Sequence, residues 1–181
     1  RLDYYRKGGD SLANRYRYFR LHPFSVRELD PAPRGSHLDL LIRFGGFPEP
    51  LFRQDETEHR IWRRDRLARV VREDLRDLEH VREVSLVEHL VEFLPERVGS
   101  PLSVANLSRD VEVDHKTVER WLTILEHMYI CFRLPPFGSP RIRAVKKEQK
   151  LYLWDWSDVA DPGARFENLV ACQLLKYCHW I

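Results

Sequence analysis

The stretch 107–122, LSRDVEVDHKTVERWL, constrains this chain more than any other. Leu107 and Val111 place apolar side chains on one face of a short helix. Val113 sits in the turn that follows, and Asp114 stands where it caps a second helix. Thr117, Val118, Trp121, Leu122, Leu125 and Met128 then recur at helical spacing. The pattern predicts a helix-turn-helix whose small core is shared by Leu107, Val111, Val113, Val118 and Leu122. Such turns favour Gly where this chain has Glu112, so a left-handed, strained Glu112 is expected. Ser103 is placed to cap the first helix.

The surroundings read as mainly helical, with a small β component. In the first 30 residues, 16–21 alternates Tyr and Arg at period two, a strand pattern that ends at Pro23. An unpaired strand needs a partner edge, in a parent sheet or through self-association. Ser25 is placed to cap a turn through Arg27, Glu28 and Leu29. Residues 31–36 form a Pro- and Gly-punctuated linker. Leu38, Leu41 and Ile42 mark a short helix face, and GGFPEP at 45–50 a rigid turn whose Phe47 plugs into a core. A long helix is expected over 58–82, with Ile61, Leu67, Val70, Val71, Leu75 and Leu78 on one face. Its other faces alternate Arg with acids, the mark of a solvated surface. A further helix over 85–94 stops at Pro95.

After Met128 the period changes to two. Ile130, Phe132 and Leu134 alternate with Cys131 and Arg133, so a strand is expected, paired with one through 151–155 as a long-looped wing. Phe166, Leu169, Val170, Leu174 and Tyr177 mark the inner face of a last helix. The expected organisation is 1–30, linker 31–36, a helical region 37–100, a winged helix-turn-helix 101–155 and a final segment 156–181.

Composition excludes little. The 181 residues carry 43% hydrophobic and 32% charged side chains, with a net charge of +2. Nucleic acid or anionic lipid would therefore be met only by a local basic patch. No run has the length of a membrane helix and no signal peptide is seen, so no membrane partner is expected. Three cysteines without metal or disulfide spacing favour the cytoplasm. The start at Arg1 and the apolar Trp180–Ile181 end read as cut ends.

Several short motifs follow one another in a specific order: SLANRYRYFRLHPFSVREL (11–29), GGFPEP (45–50), Trp62 with Asp74–Leu75, the helix-turn-helix, KLYLWD (150–155) and RFENLV (165–170). In this order the chain resembles the C-terminal portion of a group of prokaryotic AAA+-type ATPases, in which a P-loop core precedes a conserved domain of unknown function. The resemblance spans nearly the whole chain. It implies that 1–30 closes an ATPase core and that 37–134 is a helical and winged-helix region. It also implies that the last segment opens a restriction-endonuclease-like α/β domain. No G-x-x-x-x-G-K-[ST] occurs, so ATP and magnesium are expected only for a full-length parent and not for this stretch.

The resemblance also suggests site residues. Arg15, where the family has Gly-Arg and this chain Asn14–Arg15, is a candidate phosphate-sensing arginine. Glu167 resembles the first acid of nuclease-like folds; a helix N-terminal acid favoured by the dipole is the alternative. If the helix-turn-helix binds DNA, His115, Lys116, Glu119, Arg120 and Thr123 face the major groove. Arg141, Arg143, Lys146 and Lys147 then reach phosphates from the wing. Two features argue instead for a docking or regulatory winged helix: the acid Glu119 at the centre of that face, and an expected partial exposure of Trp121.

Overall fold

In the computed structural model, residues 20–30, 32, 34–74, 84–137 and 149–180 are described. These form a mainly helical fold with one two-stranded antiparallel sheet. Arg15, positions 16–19 of the strand expected over 16–21, Leu75 and Leu78 of the expected long helix, and the basic wing residues Arg141, Arg143, Lys146 and Lys147 lie outside the described residues.

The chain enters through α1 (Val26–Leu29), where the Ser25 amide and hydroxyl both donate to Glu28 Oε2, at 2.7 and 2.6 Å. Helix α2 (Gly35–Phe44) buries Leu41 and Phe44 and ends at Gly45, whose φ of +76° suits glycine. The expected rigid turn at 45–50 is a turn only as far as Phe47. Pro48 then opens α3 (Pro48–Arg53), since a ring with fixed φ and no N–H suits a first helical position. Phe47 is half-buried, tilted against Trp62 and covered by Arg66, and does not plug into the core.

Asp55 caps α4 (Glu56–Ala68) by accepting from the amides of Thr57 and Glu58, both at 2.8 Å. The long helix begins two residues earlier than expected and turns π-helical over Arg69–Asp74. Val71 is fully buried, whereas Ile61, expected on the inner face, is 41% exposed. Among the side chains of α4, the histidine His59 is the buried one. Helix α5 (Val84–Phe93) buries Val87, Leu90 and Val91. The α-helix ends ahead of Pro95 as expected, and Pro95 sits at the start of a 3-10 turn, Leu94–Arg97.

Helices α6 (Val104–Asp110) and α7 (His115–His127) form the expected helix–turn–helix pair. Ser103 accepts the Asn106 amide at 3.2 Å, and Asp114 accepts those of Lys116 and Thr117 at 2.8 and 3.2 Å. Glu112 lies in the left-handed region at φ +55°. The Ser108 hydroxyl donates to the Val113 carbonyl at 2.6 Å and closes the turn. Leu107, Val111, Val118, Trp121, Leu122 and Leu125 are buried between the helices and the sheet.

Strand β1 (Cys131–Leu134) pairs with β2 (Lys150–Leu153) in the register Cys131↔Leu153, Phe132↔Tyr152 and Arg133↔Leu151. The expected alternation fails at both ends. Cys131 and Phe132 are both buried, and Leu134 is exposed. One face of β1 meets α7, and the other carries an aromatic layer of Phe132, Tyr152 and Trp154, so neither face near the strand start is solvated.

The last helix, α8 (Pro162–Trp180), is rotated from the expected orientation. It buries Asn168, Leu169, Cys172 and Lys176, while Leu174 and Tyr177 are 60% and 63% exposed, and Phe166 and Val170 also face outward. Polar side chains set this rotation. Asn168 accepts the Leu153 amide at 2.8 Å and donates to the Leu153 carbonyl at 2.7 Å, taking the place of a neighbouring strand. Lys176 donates to the Pro23 carbonyl at 3.0 Å and pairs with Glu28. Arg20 and Leu21 form no strand; 20–24 lies as an irregular strap along α8, through Arg20 and His22 to His179 and through Phe24 to Gln173.

Candidate nucleic-acid interface

The outer face of α7 is built by its own cap and periodicity. With Asp114 fixing the start, Val118, Trp121, Leu122 and Leu125 turn inward, so Lys116, Arg120, Thr123 and His127 are brought onto one exposed stripe, with His115 at its head. Trp121 is fully buried, contrary to the expected partial exposure. Four apolar positions per two turns face the core, and Trp121 falls in the middle of them. Its indole N–H has no partner among the described residues, at a cost of about 1–3 kcal/mol.

Glu119 does not face outward alone. Arg133, projecting from β1, donates to Glu119 Oε2 at 2.7 Å and holds Glu126 through both carboxylate oxygens at 3.0 and 2.8 Å. Burial works against the charge of Arg133, but the hydrogen bonds it donates to Glu126 and Glu119 outweigh it and raise its pKa. Both acids of α7 are thereby paired from beneath by one guanidinium. Spacing within α7 could not reveal this, because the arginine comes from the following strand.

Glu167 is placed on the first turns of α8 but is engaged. Its Oε1 accepts from Lys150 Nζ and from the Tyr152 hydroxyl, each at 2.9 Å. Lys150 holds the carboxyl below its usual range, while burial and Glu167 push Tyr152 up to about 12. The residue serves as a strut between α8 and β2.

The sequence reading missed a second polar cluster, which lies where α4 meets the 3-10 turn Trp156–Asp158. Asp155 Oδ1 accepts from the Ser157 hydroxyl at 2.6 Å, and His59 Nε2 lies 3.1 Å from the same hydroxyl. The trio has the residue types of a hydrolase but not the proton order. The one hydroxyl proton goes to Asp155, so neutral His59 donates to Ser157 and cannot act as its base. Burial lowers the His59 pKa and keeps it neutral. Arg63 pairs with Asp158, and Arg66 stands 3.5 Å from Asp155. Burial, then the neighbouring Asp155, pushes the Asp158 carboxyl up, against the pull of Arg63 and Arg66. In the sequence the signal is DWSD after KLYLW, two acids three residues apart behind an apolar strand.

The fold and its exposed face thus define a mainly helical domain in which a helix–turn–helix pair is backed by a two-stranded antiparallel sheet. Residues 35–158 match the family model for a domain of unknown function, DUF8612, and the chain belongs to that family. No curated protein and no solved structure matches it. Among the described residues, no helix is long and apolar enough to cross a membrane.

Proposed function

We propose that 101–155 acts as a winged helix-turn-helix that lays α7 in the major groove of duplex DNA. The supporting observation is the Arg133 clamp. It draws the two acids of α7 toward the sheet and leaves Lys116, Arg120, Thr123 and His127 as the exposed groups of the outer face. On this reading Lys116 and Arg120 read base edges. Arg141, Arg143, Lys146 and Lys147 supply the sequence-independent phosphate contacts.

The resemblance to AAA+-type ATPases supplies the context. The DNA-contacting module works within a cytoplasmic, ATP-driven parent whose P-loop core holds ATP and magnesium. Arg15 belongs to the edge of that core, and Glu167 to the opening helix of a restriction-endonuclease-like domain. A second reading, a regulatory docking module, is favoured by the outward apolar residues Phe166, Leu174 and Tyr177 of α8. Amide-shift mapping with a short duplex tests the first reading. Changes are expected at Lys116, Arg120 and His127. Changes confined to α8, or none, contradict it.

A further inference from the structure

A cavity of about 580 Å³ opens between α4, the end of α5 and the start of the sheet. Its floor is apolar, made among others by Leu67, Val70, Val91, Ile130 and Leu153. The volume lies in the range that holds small organic ligands. One wall is the arginine face of α4. Two of its four guanidiniums are committed within the fold: Arg63 pairs with Asp158, and Arg66 lies over the Phe47 ring at 4.4 Å and near Asp155.

Arg60 and Arg64 differ. They sit one turn apart on the same helix face, and among the described residues neither meets a carboxylate across the cavity. Arg60 reaches only the Thr57 hydroxyl of its own helix, at 3.4 Å, and Arg64 only its chain neighbour Asp65, at 3.5 Å. Two guanidiniums at this spacing form a fork suited to one anionic group, and guanidinium gives up its hydration more readily than ammonium.

Glu92 and Glu96 stand on the opposite rim and disfavour an anion there, which fixes the direction of a bound molecule. Val70 is presented by the π-helical turn Arg69–Asp74, and such turns are frequent at functional sites.

We propose that this cavity binds a small amphipathic anion. Its apolar body, about the size of two fused rings, lies on the Val70–Val91–Leu153 floor. Its single carboxylate, sulfonate or phosphate group is held by Arg60 and Arg64. The site is separate from the α7 face, and its test does not depend on DNA binding.

The test is a calorimetric titration with naphthalene-2-sulfonate, followed by amide-shift mapping. The charge-inverted control is 2-naphthylmethylammonium. One saturable site is expected, with shifts at Val70, Val91 and Ala160. The double variant Arg60→Ala/Arg64→Ala, both exposed and away from the core, should weaken binding by about tenfold or more, the scale of one or two charged hydrogen bonds. The cationic analogue should bind far more weakly. Four results overturn the proposal: no saturable binding at millimolar probe, undiminished binding by the double variant, equal or tighter binding of the cation, or shifts centred on Phe166, Leu174 and Tyr177 of α8.

Discussion

Arg133 on β1 and Glu119 on α7 are joined by a 2.7 Å hydrogen bond that ties the exposed helix to the sheet beneath it. The same guanidinium holds Glu126, so one cation separates two carboxylates seven residues apart on one helix. Replacing Arg133 by Met keeps much of the volume but leaves both acids unpaired on the same face. Since the acids are partly solvated, the expected loss is about 2 kcal/mol, below that of a fully buried pair. Urea denaturation of Arg133→Met measures it. A loss under about 0.5 kcal/mol, the usual range for surface substitutions, contradicts the clamp.

Gly45 is set by a neighbour more than a hundred residues away. A Cβ there would lie 2.6 Å from Asp155 Oδ1, on backbone at φ +76°. Gly45→Ala therefore strains the turn and pushes on the carboxylate that Ser157 and Arg66 hold. A loss of about 2–4 kcal/mol is expected from the combined clash and backbone strain. Thermal unfolding indistinguishable from the parent chain would show that the α2 end and Asp155 are not packed as described.

Glu112 offers the opposite case. It holds φ +55° in the turn between α6 and α7, where an L side chain is strained and glycine is not. Glycine also costs more backbone entropy on folding, which offsets part of the relief. Glu112→Gly should stabilise the chain by roughly 0.5 kcal/mol, read as a higher urea midpoint with unchanged slope. Destabilisation would mean that the Glu112 side chain contributes more than its backbone costs.

Much of this was legible in the chain, and what was not has a common cause. Asp114, Ser103 and Glu112 act within three residues of themselves, so caps and turn geometry follow from local spacing. The inner face of α8 did not follow from apolar spacing, because Asn168 and Lys176 bind the backbone of distant segments, at Leu153 and Pro23. Glu119 looked like an obstacle to DNA until Arg133 arrived from the next strand. The Asp155–Ser157–His59 cluster joins positions nearly a hundred residues apart, and no periodicity signals that.

His22 gives the strap along α8 a pH dependence of definite sign. Burial, then the charges of His179, Lys176 and Arg20, lowers its pKa from 6.5 to about 4, with Glu28 opposing weakly. The unfolded chain thus takes up this proton more readily than the folded one. Stability from His22 is complete above about pH 6.5 and is lost as pH falls towards 4. His59 and His179 are lowered too and add in the same direction. Asp158, raised by burial, works in the opposite direction, so the readout is the difference: between pH 7 and 5 the denaturation midpoint of His22→Gln should fall less, or rise more, than that of the parent chain. An unchanged pH slope in the variant would place the sensitivity elsewhere.

The reading of α7 as a DNA-contacting helix is tested most directly by fluorescence anisotropy of a labelled duplex, selected from a random pool for tight binding by the parent chain and titrated at two salt concentrations with the parent chain and with Lys116→Ala/Arg120→Ala. Lys116 and Arg120 are exposed and outside the core, so the fold should survive their removal. The account predicts salt-sensitive binding by the parent chain. It also predicts a double variant that binds this duplex about tenfold or more weakly with its log–log salt slope little changed, because Lys116 and Arg120 read base edges while the wing residues meet the phosphates. Equal binding by the two proteins at both salts, or none by either, contradicts it.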